Sequence, residues 1–152
     1  MEDIKLMLVD DEERFVRTTS KLLARKGFRI FSALSGADAL HILKGHNIHV
    51  VVLDVKMPGM DGIALLKEIK RNFPLVEVIM LTGHGTLESA VEGLKSGASD
   101  YLTKPIDIED LTARVREAFE KRRRLEEKIR KAHSNLCVKS PEATVKKAGP
   151  GF

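Results

Sequence analysis

The sequence predicts an α/β fold: a doubly wound, five-stranded parallel sheet with helices on both faces. Short apolar runs alternate with segments of helical spacing five times between residue 1 and about residue 120, the pattern of repeated strand–helix crossovers. The runs are nearly unbroken in aliphatic side chains, as in Val50-Val51-Val52-Leu53, which suits strands covered on two sides. Five polar clusters sit where such runs end: Asp10-Asp11, Asp54, Thr82-Gly83, Tyr101 and Lys104-Pro105.

Ile4 to Val9 reads as the first strand. Glu13 to Lys26 sets Phe15, Thr19, Leu22 and Leu23 at helical spacing, and Gly27 ends that helix. Phe28 to Ala33 alternates as the second strand and carries no polar cluster. Ser35 caps the second helix, with Asp38 in its positive first turn and a stop near Gly45. Val50 to Val55 is the third strand. Lys56 to Gly62 reads as a turn-rich loop, followed by a helix with Ile63, Leu66 and Ile69 on one face. Val76 to Leu81 is the fourth strand, and Thr86 or Ser89 starts the fourth helix, which ends at Gly97. Asp100 to Lys104 is a short fifth strand, after which Asp107 caps the last helix, with Asp110 three residues on. Right-handed crossovers with helices on both sides select the flavodoxin-like strand order 2-1-3-4-5. There the first and third strands flank the point where the winding reverses. Those strands end in Asp10-Asp11 and Asp54.

The last helix is longer than the domain needs. Ile108, Leu111, Val115, Ala118, Arg122, Leu125, Ile129, Ala132 and Leu136 form an apolar seam that only Arg122 interrupts. Beyond Lys121 no domain remains to bury the seam, which leaves two readings: contact with a partner helix, or a frayed basic helix. After His133 the periodicity is lost, and Ser140-Pro141 and Gly149-Pro150-Gly151 read as disorder. The expected organisation is a domain over 1–120 and, over 121–152, a basic extension of the last helix with a disordered tail. Charge follows the same division. Residues 1–120 hold 16 Lys/Arg against 19 Asp/Glu, and residues 121–152 hold 10 against 3, so the net +4 belongs to the extension.

No apolar run is long enough to span a bilayer, and no membrane association is expected. The acidic start, Met1-Glu2-Asp3, runs directly into a strand, so no signal peptide is expected. A single cysteine, Cys137, excludes an internal disulfide and agrees with a reducing, cytoplasmic location.

In an open α/β sheet, ligands bind beyond the carboxyl ends of the strands. Three carboxylates, a hydroxyl and an ammonium should therefore meet in one pocket, an inventory that suits metal-assisted phosphoryl transfer onto a carboxylate. Asp54 is the candidate acceptor. Asp10 and Asp11 hold Mg²⁺, which favours one or two carboxylates, several waters and phosphate oxygens. Lys104 offsets the remaining phosphoryl charge, and Thr82 donates a hydrogen bond after transfer. Gly83 leaves room for the phosphoryl group. Lys104-Pro105 is a candidate cis bond, since X–Pro linkages adopt cis at low cost.

Taken together, Asp10-Asp11, Asp54 before Met57-Pro58-Gly59-Met60-Asp61-Gly62, Thr82-Gly83 and Tyr101-Leu102-Thr103-Lys104-Pro105 resemble the receiver domain of two-component response regulators. The resemblance spans residues 1 to about 120. It implies that Asp10, Asp11, Asp54 and the Lys56 backbone carbonyl bind Mg²⁺ or Mn²⁺. It implies a sensor histidine kinase as phosphoryl donor, Asp54 as acceptor, Thr82 and Tyr101 as switch residues and Lys104 as reader of the phosphoryl group. Lys56 and His84 occupy the positions that tune dephosphorylation in that family. The output expected is a change in the face made by the fourth helix, fifth strand and fifth helix, passed to a downstream protein or effector domain. A homodimer through that face or the extended last helix is also implied. The chemistry beyond binding is limited to self-catalysed phosphoryl transfer and autodephosphorylation, so the chain reads as a regulated binding module rather than an enzyme. The alternatives are a phosphorelay carrier and the input fragment of a longer transcription regulator.

Other features carry less. Gly83-His84-Gly85 lacks the third glycine of a dinucleotide loop. His46 and His49 flank a turn without a second ligand pair, so a solvated loop is expected over zinc. Cys137 has no activating base nearby in sequence. The Lys121-Arg122-Arg123-Arg124 run reads as a solvated helix face, with direct nucleic-acid contact not expected.

Overall fold

The computed structural model describes residues 3–57, 60–83 and 86–139, without the side chains of 56, 57, 60 and 137–139. Its elements are β1 (Lys5–Val9), α1 (Glu13–Arg25), β2 (Arg29–Ala33), α2 (Gly36–Gly45), β3 (Val50–Asp54), α3 (Gly62–Asn72), β4 (Glu77–Thr82), α4 (Leu87–Lys95), β5 (Asp100–Thr103) and α5 (Ile108–Lys139). The five strands form one all-parallel sheet in the order β2-β1-β3-β4-β5. This is the doubly wound order expected from the sequence.

The side-chain period of two divides the sheet into two buried layers. Met7, Val9, Val51, Leu53, Val78 and Met80 face one way, onto Leu43, Leu65, Leu66 and Ile69 of α2 and α3. Leu6, Leu8, Val50, Val52, Ile79 and Leu81 face the other way, onto Val16 and Leu23 of α1 and Leu111, Val115 and Phe119 of α5. Burial on both faces is why β1, β3 and β4 read as unbroken apolar runs. The edge strand β2 is less regular: Ala33 is buried while Arg29 and Ser32 are exposed.

Local chemistry sets the helix ends. Ser35 Oγ accepts from Asp38 N, and Asp61 Oδ1 accepts from Ile63 N. Thr86 and Ser89 act together rather than as alternatives, in a reciprocal capping box at the start of α4. Asp107 Oδ1 accepts from Glu109 N at the start of α5. Gly27, at φ +100°, turns the chain out of α1 in a conformation that side chains resist.

The segment expected as a loop between β3 and α3 is more ordered than its turn residues suggest. Lys56–Met57 and Met60–Asp61 pair antiparallel as a small hairpin. Gly62 closes it: its N–H donates to Val55 O at 2.9 Å, and a Cβ there would lie 2.3 Å from that oxygen. Pro58 and Gly59 lie outside the described residues.

The chain divides into two compact units, Met1–Arg122 and Arg123–Phe152. In the first, Arg122 does not interrupt the core but completes it. It is 5% exposed, and its guanidinium donates to Ile48 O at 2.6 Å and Asn47 Oδ1 at 2.9 Å. In the second, the helix continues past His133 to Lys139, further than the periodicity indicated. Leu125, Ile129 and Leu136 are exposed there, and Arg130 pairs with Glu127. The expected disordered stretch from Ser140 onward lies outside the described residues. Among the described residues, no helix is long and apolar enough to cross a membrane.

Candidate functional site

Strand register assembles the site. Val9 pairs with Leu53, Asp54 with Leu81, and Thr82 with Thr103. The residues that end or follow these strands therefore share one edge, the carboxyl edge. Asp10 N donates to Ala33 O at 3.2 Å, and Lys104 N donates to Thr82 O at 2.8 Å, fixing both backbones there.

Carboxylate oxygens of Asp10, Asp11 and Asp54 all lie within 4.8 Å of one another. Opposite oxygens around one Mg²⁺ are separated by about 4.2 Å, so small rotations bring all three to one hard cation. The donor set fits such an ion: all oxygen, with two of the three carboxylates buried, Asp10 at 1% and Asp54 at 7% exposure. Asp11 is exposed and gives solvent access.

Lys104 supplies the positive charge. Its Nζ donates to Asp10 Oδ2 at 2.7 Å and to Glu12 Oε1 at 3.0 Å. The amine also sits 4.2 Å from the centroid of the Phe15 ring. Burial disfavours its charge. The hydrogen bonds to Asp10 and Glu12 and the charges of Asp10 and Asp54 outweigh that, and its pKa is raised. The Lys104–Pro105 bond is cis, as expected. Thr82 is buried beside Asp54, one residue beyond its strand partner. Among the described residues, a Cβ at Gly83 would meet only Lys104 Cδ, at 4.0 Å.

Tyr101 stands apart from this cluster. It lies within β5, because pairing continues through Leu102 and Thr103, and so it is not at a strand end as expected. Its ring packs against the α2–α3 layer, and its Oη lies 2.9 Å from Ser89 Oγ. The Lys56 backbone begins the hairpin, while the Lys56 side chain and His84 lie outside the described residues.

Two contributors escaped the sequence reading, Glu12 and Phe15. The visible hint was a third acid directly after Asp10-Asp11. Of the two histidines expected in a solvated loop, His46 is exposed and His49 is not. His49 Nδ1 accepts from Lys5 N at 2.9 Å and its ring meets Phe119 edge-on, so it is a structural link rather than part of a solvated loop.

Comparison with known proteins gives concordant matches. Residues 6–116 match the family described as "Response regulator receiver domain". The chain is 40% identical over 112 residues to the DNA-binding transcriptional regulator NtrC of Escherichia coli K12, covering 74% of this chain and 24% of that protein. It is 36% identical over 134 residues to the regulatory protein AtoC of the same strain, covering 88% and 29%. The chain thus spans about a quarter of the length of these curated relatives. Among solved structures, a CheY-like response regulator receiver domain protein from Methanospirillum hungatei JF-1 superposes with a TM-score of 0.77 at 26% identity, over 81% of this chain and 98% of that one. The beryllofluoride-activated NtrC4 receiver domain dimer superposes with a TM-score of 0.74 at 36% identity, over 78% and 98%.

Proposed function

Because the chain belongs to the response regulator receiver domain family of two-component signalling, we propose that it is a switch whose phosphoryl acceptor is Asp54. The observation that carries this reading is the meeting of Asp10, Asp11 and Asp54 within 4.8 Å, beside an ammonium, at the carboxyl edge of the sheet.

An Asp54 oxygen attacks the phosphorus of a phosphohistidine on a sensor kinase. The O–P bond forms, the N–P bond breaks, and the imidazole nitrogen leaves with the electron pair. Asp10, Asp11, Asp54 and the Lys56 carbonyl would hold Mg²⁺ (or Mn²⁺), which would supply charge neutralisation for the phosphoryl oxygens. Lys104 offsets further charge on the transferred group, and the Thr82 hydroxyl donates to one of its oxygens. Phosphorylation raises the charge at Asp54 from one negative to about two. Thr82 moves to the new acceptor, Tyr101 turns, and the α4-β5-α5 face changes for a downstream protein or effector domain. The Lys56 and His84 side chains flank the path of attacking water and tune hydrolysis. The setting is cytoplasmic, without membrane or direct nucleic-acid contact. Exposed Leu125, Ile129 and Leu136 favour a homodimer through the extension, alongside one through the α4-β5-α5 face.

The coverage of about a quarter of NtrC and AtoC favours a second reading of the same domain, as the input module of a longer transcription regulator. The test of the main reading is direct. With Mg²⁺ and a small acyl phosphate the protein should gain one phosphoryl group by intact mass, and Asp54→Asn should gain none. Equal labelling of the variant would reject the assignment.

A further inference from the structure

Glu12 holds a position where its side chain has an ordinary local use, and it does something else. It is the residue before the first turn of α1, with an extended backbone, yet it makes no side-chain cap. Short polar side chains cap at that position, and a carboxylate is also favoured there by the helix dipole. Instead Glu12 reaches Lys104, 92 residues away in sequence, at 3.0 Å. Its own N–H donates to Asp10 Oδ1 at 3.0 Å. Asp10 and Glu12 thus close a small ring around the amine: Lys104 to each carboxylate, and Glu12 backbone to Asp10. The ring of Phe15 lies against the amine at 4.2 Å.

The two carboxylates are not equivalent. Asp10 is 1% exposed and belongs to the candidate metal cluster. The Glu12 side chain is 64% exposed, so water solvates it readily once the contact breaks.

We infer that Glu12 is a positioning residue that competes with the phosphoryl group for Lys104, and so sets how tightly this chain holds a phosphorylated acceptor. The inference rests on the reading of Asp54 as acceptor. The ammonium has three donors and fixed surroundings, and every N–H committed to Glu12 is withheld from a phosphoryl oxygen. Glu12 is the partner that gives way, since its release leaves no buried charge behind.

Beryllofluoride with Mg²⁺, a noncovalent phosphoryl mimic, provides the probe, with binding followed by ¹⁹F NMR titration. Glu12→Ala should bind about two- to fivefold more tightly than wild type, the size of an exposed ion pair. Glu12→Gln, whose amide oxygen still accepts, should fall between them. A general loss of negative charge would instead affect both variants equally. In a Lys104→Met background the Glu12→Ala effect should vanish. The dependence on Lys104, together with the intermediate affinity of Glu12→Gln, is a readout that a merely structural role would leave unmoved. Wild-type binding with unchanged affinity in Glu12→Ala, or a gain that persists without Lys104, overturns this inference alone. No binding by wild type overturns the acceptor reading and the inference with it.

Discussion

The two edges of the sheet both bury charge, and they use it in opposite ways. At the carboxyl edge, Asp10, Asp11 and Asp54 bring their carboxylate oxygens within 4.8 Å of one another, and Asp10 and Glu12 share the amine of Lys104. At the amino edge cations predominate. Glu77, 3% exposed, bonds Ser99 and lies 3.7 Å from Lys121 Nζ, while Lys70 and Arg122 stand near it. There Lys70 donates to Pro74 O and Val76 O, and Arg122 donates to Ile48 O and Asn47 Oδ1, all neutral oxygens of the protein. A buried charge that the protein satisfies itself is architecture. Carboxylate oxygens that converge on one point are a donor set for a cation. That difference, rather than burial, separates the candidate site from the scaffold.

The contrast predicts separable failures. The largest effect belongs to the amino edge. Arg122→Ala strands Ile48 O and empties packed volume, so it should lower unfolding free energy by about 3 kcal/mol, while phosphoryl incorporation at Asp54 persists below the melting range. Urea unfolding with intact mass on the same sample checks both halves, and loss of incorporation with full stability would break the contrast. At the carboxyl edge the sign reverses. Asp11→Asn relieves like-charge repulsion and should stabilise the metal-free protein by about 0.5–1 kcal/mol. If the three carboxylates bind Mg²⁺, the variant should also lose most of the rise in melting temperature expected when Mg²⁺ is added to wild type. A variant that is less stable without metal would count against that repulsion.

The finest effect is in pH. Burial lowers the Lys70 pKa against the opposing pull of Glu77, and the charges of Lys121 and Arg122 lower it further. A lysine that loses its proton more easily when folded weakens the fold while charged. Stability should therefore rise as pH climbs through its folded value towards the ordinary 10.5. Lys104 behaves oppositely: its contribution is complete below 10.5 and is lost as pH climbs through its raised folded value. Unfolding titrations between about pH 8 and 11 should show the rise disappear in Lys70→Met and the later fall shrink in Lys104→Met. Identical profiles in all three proteins would erase the distinction.

The parts of this architecture with a period or a boundary could be read from the sequence. Aliphatic runs gave β1, β3 and β4 because both faces of those strands are covered. Asp10, Asp54 and Thr82 were visible because each marks a change from apolar run to polar residue, and Lys104 because it stands before Pro105 at the end of the short fifth strand. The parts missed depend on distance. Nothing near Glu12 or Phe15 indicates an amine ninety-odd residues later. Arg122 looked like a break in a seam, although a lone arginine on an otherwise apolar face is itself a sign of a buried acceptor opposite it. The hairpin over 56–61 was illegible because two-residue strands are too short to show alternation. The fifth strand itself was read within one residue of its end, so Tyr101 was already inside it although it was grouped with the strand-end residues.

Ser89 has two occupations. Its hydroxyl completes the reciprocal cap that begins α4, and it also lies 2.9 Å from the oxygen of Tyr101. Rotating the aromatic ring inward therefore withdraws a tether from the opening turn of a helix whose outer side carries Leu87, Val91 and Leu94 to solvent. A rotation of that ring would therefore be coupled to the stability of the first turn of α4, through one hydroxyl.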